Sequence, residues 1–80
     1  MNNTYYFLSR QRENLDQIEY ANYNGYSNTL AWQVNQEHAT KFDSLEKTTD
    51  LKEIALALND FGEKEYEFKL LKLTENIEEV

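Results

Sequence analysis

The chain contains no cysteine and no proline, and only two of its 80 residues are glycine. Without cysteine, no disulfide can cross-link the fold and no thiolate can bind a metal ion. The longest apolar run is far short of the about 20 residues that a membrane helix needs. The N-terminus lacks the basic and apolar segments of a signal peptide. These absences favour a soluble intracellular protein with no membrane partner.

Basic residues are also scarce, because 8 Lys and Arg face 15 Asp and Glu, which leaves a net charge of −7. Phosphate contacts require clustered Lys and Arg, so direct binding to nucleic acid is disfavoured. Aromatic residues make up 14% of the chain, which is too many for a disordered acidic tail. We therefore expect one folded domain over residues 1–80, whose acidic surface is either simply solvated or meets a basic partner.

Chemistry-bearing motifs are missing as well. His38 is the only histidine, and a lone histidine without other soft ligands does not build a zinc site. Two glycines are too few for a phosphate-binding loop, and no serine lies in a nucleophile-elbow pattern. We expect no catalytic residue, no metal site and no cofactor. One ligand stays open as an alternative, namely a small nucleotide that Arg10 and Arg12 would bind in an oligomer.

Most of the first half has the residue types of β-strands, namely aromatic, β-branched and alternating apolar positions. Such runs cover residues 4–8, 16–23, 26–34 and 38–42. The polar residues 10–14 predict the first turn. Asn24 and Gly25 both tolerate positive φ, and they predict a type I′ hairpin turn.

The second half begins with a helical pattern. Leu51, Ile54, Ala55 and Leu58 are spaced as one apolar stripe of an amphipathic helix. Two starts fit: Asp50, with Glu53 three residues later as a capping box, or Ser44, because Leu45 extends the stripe. Gly62 is placed to end the helix.

Tyr66, Phe68 and Leu70 alternate with charged residues and predict a half-buried strand. The acidic residues 74–80 are expected to fray. The predicted fold is therefore α+β, with the order β-β-β-α-β. It is a small antiparallel sheet of three to four strands with one amphipathic helix on one face.

Two acidic groups are candidate partner-binding residues. Glu63, Glu65 and Glu67 alternate along the last predicted strand, and Asp43 and Glu46 flank the start of the helix. Alternate strand residues lie about 6.5–7 Å apart, similar to successive phosphates of a DNA strand. A row of solvated carboxylates that discourages sheet pairing is the structural alternative.

Three tyrosines, Tyr20, Tyr23 and Tyr26, bracket the predicted hairpin turn. Tyrosine combines a large contact area with a polar end, which suits a recognition surface. Alternatively, Tyr23 and Tyr26 form a cross-strand pair that stabilises the hairpin.

Residues 38–44, with Ala39, Phe42, Asp43 and Ser44, precede the predicted helix and the Tyr66-Glu67-Phe68 strand. This arrangement resembles the ending of many short phage proteins. In size, acidity and Asn/Lys content the chain is also similar to phage anti-CRISPR proteins and other anti-defence inhibitors, several of which imitate nucleic acid. That resemblance assigns no residue roles.

The resemblance implies an inhibitor in the cytoplasm of a bacterial host cell. It would bind a basic, nucleic-acid-handling defence protein, such as a CRISPR nuclease, through an acidic DNA-mimic-like surface. The alternative is a non-enzymatic interaction module or homodimer that uses the aromatic hairpin.

Overall fold

The computed structural model describes residues 4–62, 65–74 and 76–80, and its fold is α+β, as predicted. All strand pairs are antiparallel, and the five-stranded sheet has the order β3-β2-β1-β4-β5. The elements in chain order are β1 (Tyr5–Arg12), β2 (Ile18–Asn24), β3 (Thr29–Gln33), a 3₁₀ turn (Gln36–His38), α1 (Leu45–Asn59), β4 (Tyr66–Leu73) and β5 (Ile77–Glu79). The sheet thus has one more strand than the largest number predicted.

β1 is longer than its sequence suggests. The predicted turn at residues 10–14 is wrong for Arg10, Gln11 and Arg12, which remain in the strand and pair with β4. The turn comes afterwards, where Asn14 takes a φ of 71°. Polar residues can continue a strand here because β1 lies in the middle of the sheet, where both ladders satisfy its backbone groups.

The β2–β3 hairpin does not use a type I′ turn at Asn24 and Gly25. Residues 25–28 form a four-residue loop instead, and Asn28 rather than a glycine has the positive φ, 55°. The Asn24 side-chain oxygen accepts hydrogen bonds from the backbone N–H groups of Tyr26, at 3.0 Å, and Ser27, at 3.4 Å. This register pairs Tyr23 with Leu30, so the predicted Tyr23–Tyr26 pair is wrong.

Two shorter segments also differ from prediction. Residues 38–42 form no strand, because Asn35 caps the 3₁₀ turn and only Phe42 makes an isolated bridge, to Tyr6. Residues 77–79 of the tail do not fray, since β5 pairs with β4 and places Glu78 beside Lys72. Opposite charges on adjacent strands favour this pairing.

Helix α1 begins after Ser44, whose hydroxyl oxygen accepts a hydrogen bond from the Lys47 N–H at 3.3 Å. The earlier of the two predicted starts is therefore confirmed, and Asp50 lies inside the helix rather than at its cap. The helix ends at Asn59, so Gly62 belongs to the following turn, where its N–H donates to the Asn59 carbonyl oxygen.

The core lies between α1 and one face of the sheet. Leu8, Ala21 and Phe68 of the sheet pack against Leu51 and Ala55 of the helix. A helix is about 10 Å across and strands lie about 4.8 Å apart, so one helix covers about two strands. Here α1 packs over β1 and β4, and it leaves β2 and β3 largely uncovered.

The predicted apolar stripe is consequently only half buried. Leu51 and Ala55 face the core, but Ile54 and Leu58 remain 53% and 57% exposed. Thr48 completes the buried face instead, with its hydroxyl donating to the Ser44 carbonyl oxygen at 2.9 Å. Within the described residues, the helical segments are too short and too polar to cross a membrane.

Candidate functional site: a groove between the helix and the hairpin

Two open depressions lie along the side of α1 that faces the β2–β3 hairpin. Their volumes are about 360 Å³ and about 230 Å³, and they have no lining residue in common. Their walls come from the hairpin, from β1 and β4, and from the exposed side of the helix. We call the two together the α1–hairpin groove, and its main lining residues are Arg10, Tyr23, Leu30, Trp32, Lys47, Asp50, Ile54, Leu58 and Tyr66.

The floor of the groove follows from the strand register. Trp32 pairs with Ala21, and Leu30 pairs with Tyr23, so these side chains share the face that carries the helix. Because α1 sits over the other half of the sheet, Leu30 and Trp32 stay half-buried rather than enclosed. An apolar, partly exposed floor of this kind is typical of surfaces that bind another molecule.

Arg10 lies at one end of the groove in a tightly defined position. Its guanidinium carbon is 4.2 Å from the Trp32 ring centroid and 4.0 Å from the Tyr66 ring centroid. The Arg10 Nε donates to the Glu19 carboxylate at 2.9 Å. The guanidinium therefore lies over two aromatic rings, and its charge is paired. These contacts hold the Arg10 side chain in one position, which favours a structural role in the wall of the groove over a catalytic role.

The hairpin that forms the floor carries only one charged residue, Glu19 near the start of β2, which is paired with Arg10. Residues 20–36 include no Asp, Glu, Lys, Arg or His, although the chain as a whole carries −7. Sequence reasoning missed the groove because it followed the tyrosines and the carboxylates. Two features of the sequence would have indicated it. One is this charge-free run, and the other is an apolar stripe on α1 that is wider than the part of the helix in contact with the sheet.

The predicted tyrosines do not form one surface. Tyr23 lines the groove, and its hydroxyl donates to the Asn28 side-chain oxygen at 2.7 Å. Tyr20 lies on the opposite sheet face, where its ring is 5.9 Å from that of Phe7. Tyr26 is fully exposed at the loop tip.

The predicted carboxylates lie at two ends of the sheet. Asp43 follows Phe42, which bridges Tyr6, whereas Glu65 and Glu67 flank Tyr66, which pairs with Arg12. Six residues of β1 separate those ends by about 20 Å. Glu46 is exposed in the first turn of α1, beside Asp43. Glu63 lies outside the described residues.

Glu65 and Glu67 have other acidic neighbours. The Glu13 N–H donates to the Glu65 carbonyl oxygen at 3.3 Å. Glu13, Asp16, Glu65 and Glu67 line one open depression of about 710 Å³, to which Arg12 also contributes. We call these four residues the acidic end. Among the described residues, no three His, Cys, Asp or Glu side chains are grouped so that they could hold a metal ion.

No protein-family model, no curated protein and no solved structure matches this chain.

Proposed function

We propose that this protein is a non-catalytic binding module that holds apolar side chains of a protein partner in the α1–hairpin groove. The observation that carries the proposal is the single helix, which covers β1 and β4 and leaves Leu30 and Trp32 open beside Leu58. Burying such a floor is favourable by about 25 cal/mol for each Å² of apolar area. Aromatic anchors in a groove are typical of protein–protein contacts.

The charge distribution favours a basic partner. Residues 20–36 carry no charge, so the apolar floor of the groove is neutral while the net charge of −7 can steer a positively charged protein towards it. The charged residues that line the groove are Arg10, which is paired with Glu19, and Lys47 and Asp50 beside Tyr23. An inhibitor of a nucleic-acid-handling protein in the bacterial cytoplasm, the role expected from the sequence, would use the surface in this way. The groove would anchor the partner and the carboxylates would accelerate its approach.

The acidic end supports a second candidate, in which carboxylates themselves replace phosphates. Its specific observation is that Glu13 and Asp16 of the β1–β2 turn join Glu65 and Glu67 around one depression. Carboxylates form strong, geometrically defined hydrogen bonds with arginine, as phosphates do. In this candidate the partner binds mainly through Arg and Lys, and its affinity falls steeply as salt rises.

A matched pair of helix variants tests the groove. Leu58 lines the groove and is 57% exposed, whereas Leu56 is 43% exposed and does not line it. Leu58→Glu and Leu56→Glu therefore add the same charge to the same helix without opening the core. Tagged wild-type protein and both variants are used to capture partners from bacterial lysate, with mass spectrometry of the eluates. We expect Leu58→Glu alone to lose the partner.

A second matched pair separates the two candidates. Glu65→Lys with Glu67→Lys reverses two charges at the acidic end, and Asp43→Lys with Glu46→Lys reverses two charges at the other end of the sheet. If the first pair abolishes capture while Leu58→Glu does not, the acidic end is the binding surface. Equal capture by every variant would contradict both candidates.

A further inference from the structure

The outer edge of β3 is unusually well suited to pairing with another strand. β3 lies at one border of the sheet, and its five residues include no charge and no proline. The other border, β5, has only three residues, two of them glutamates. Natural sheets protect their edges with short strands, charges or proline. β5 is protected in this way and β3 is not.

The backbone groups that β3 presents outward can be identified from its neighbour. The Ala21 carbonyl oxygen accepts from the Thr40 N–H at 2.9 Å, and the Tyr23 N–H donates to the Thr40 side-chain oxygen at 2.8 Å. Ala21 and Tyr23 therefore direct their backbone groups away from β3. Because antiparallel pairs alternate between hydrogen-bonded and non-hydrogen-bonded, their partners Trp32 and Leu30 direct their backbone groups to the free edge.

We propose that β3 pairs in antiparallel fashion with β3 of a second copy of this chain, with Ala31 opposite Ala31 at the centre. In this register the outward backbone groups of Leu30 meet those of Trp32 in the other copy, and the reverse pair repeats the contact. Four backbone hydrogen bonds form without any change in the β2–β3 ladder. The central pair is non-hydrogen-bonded, the type with the closest side chains, and Ala31 is small and exposed.

Charge does not oppose a second copy at this edge, and the symmetry of the strand suits one. Two chains of −7 repel one another wherever their carboxylates approach, but residues 20–36 carry no charge. The β3 edge is thus a place where two identical acidic chains can meet without like charges opposite each other. The strand is also self-complementary, since Leu30 and Trp32 exchange roles across a two-fold axis.

The pairing would also complete the α1–hairpin groove. Side chains that lie directly opposite each other in a sheet share one face, so both helices lie on the same side of the joined sheet. Leu30 and Trp32 of the two copies then form one continuous apolar floor between two α1 helices. The dimer itself does not rest on the proposed function, because it can be measured with the purified chain and no other protein.

Sedimentation equilibrium over a range of protein concentrations tests the assembly. We expect a mass twice that of the chain for the wild type. Ala31→Glu places two like charges opposite each other, and it should raise the dissociation constant of the dimer by about tenfold or more. Ala57→Glu is the matched control, because Ala57 is exposed on α1 and the charge change is identical. Circular dichroism verifies that both variants are folded.

A cysteine variant tests the register. The chain has no cysteine, and Cα atoms of a non-hydrogen-bonded pair are about 4.5 Å apart, within the range of a disulfide. Ala31→Cys should give a covalent dimer under mild oxidation, and Ala57→Cys should stay reduced. A wild type that remains monomeric at every concentration, or equal cross-linking of the two variants, would overturn the proposal.

Discussion

Replacing Arg10 with alanine should destabilise the fold more than any other loss of a single basic side chain in the described residues. The Arg10 guanidinium is stacked between the rings of Trp32 and Tyr66, at 4.2 Å and 4.0 Å from their centroids. It also donates to the Glu19 carboxylate at 2.9 Å. The Arg10→Ala change removes all three contacts at once and leaves the Glu19 carboxylate without its cation.

The expected magnitude follows from these contacts. Each cation–π contact contributes about 1 kcal/mol at a partly enclosed site. The ion pair adds about 0.5–1 kcal/mol, near the upper end for surface pairs, because the side chains of Arg10 and Glu19 are only 20% and 28% exposed. Together the two cation–π contacts and the ion pair give a loss of about 2.5–3 kcal/mol. For a domain of this size that lowers Tm by roughly 10–20 °C.

Urea titration followed by the emission of Trp32, the single tryptophan, measures the free energy of unfolding, and far-UV circular dichroism provides a second probe. Arg12→Ala is the matched control, since it removes the same charge two residues along the same strand. Arg10→Lys keeps the charge but loses the planar stacking group, so its loss should be intermediate. If Arg10→Ala costs no more than Arg12→Ala, the stacked arginine is not a structural wall of the groove.

Three further changes test the fold by the same unfolding measurements. Ser44→Ala should cost about 1 kcal/mol because it removes the helix cap, whereas Asp50→Ala, inside the helix, should cost less than half of that; equal losses would contradict the observed start. Phe7→Ala should lower the free energy of unfolding by about 3–5 kcal/mol, because Phe7 is 0% exposed. A loss below 1 kcal/mol would mean that Phe7 is not packed beside Tyr20 on the sheet face opposite α1. Asn28→Ala should lower the free energy of unfolding by about 1–2 kcal/mol, because alanine tolerates the φ of 55° poorly and the Tyr23 hydroxyl loses its acceptor. Asn28→Gly should cost less, and the reverse order of the two variants would contradict the loop conformation.

The fold class could be predicted because two periodicities are distinct in the sequence. The helical spacing of Leu51, Ala55 and Leu58 and the alternation of Tyr66 and Phe68 each match one type of element. The helix start was ambiguous, since Ser44 and Asp50 are both good caps. Ser44 is used because Thr48, one turn later, is the residue that the core buries, and no local pattern shows that a threonine takes an apolar position.

Turn geometry was less predictable than element type. Asn24 and Gly25 are a strong local signal for a two-residue turn, but the Asn24 side chain caps a wider loop and Asn28 supplies the positive φ. The longer loop follows from register, because pairing Tyr23 with Leu30 places Trp32 on the helix face beside Arg10. Tertiary packing of Trp32 thus overrides the local preference.

The candidate site was the least predictable part, for a reason that the charge distribution makes clear. A net charge of −7 draws attention to the carboxylates, yet Asp43 and Glu65 lie at different ends of the sheet. Meanwhile the charge-free residues 20–36 include β3 and most of β2, the two strands that α1 leaves largely uncovered. An acidic chain that keeps one contiguous segment neutral and leaves it open has separated two roles. Under the proposed function, its carboxylates would act on a partner at long range, and the neutral segment would make the short-range contact without repulsion or desolvated charge.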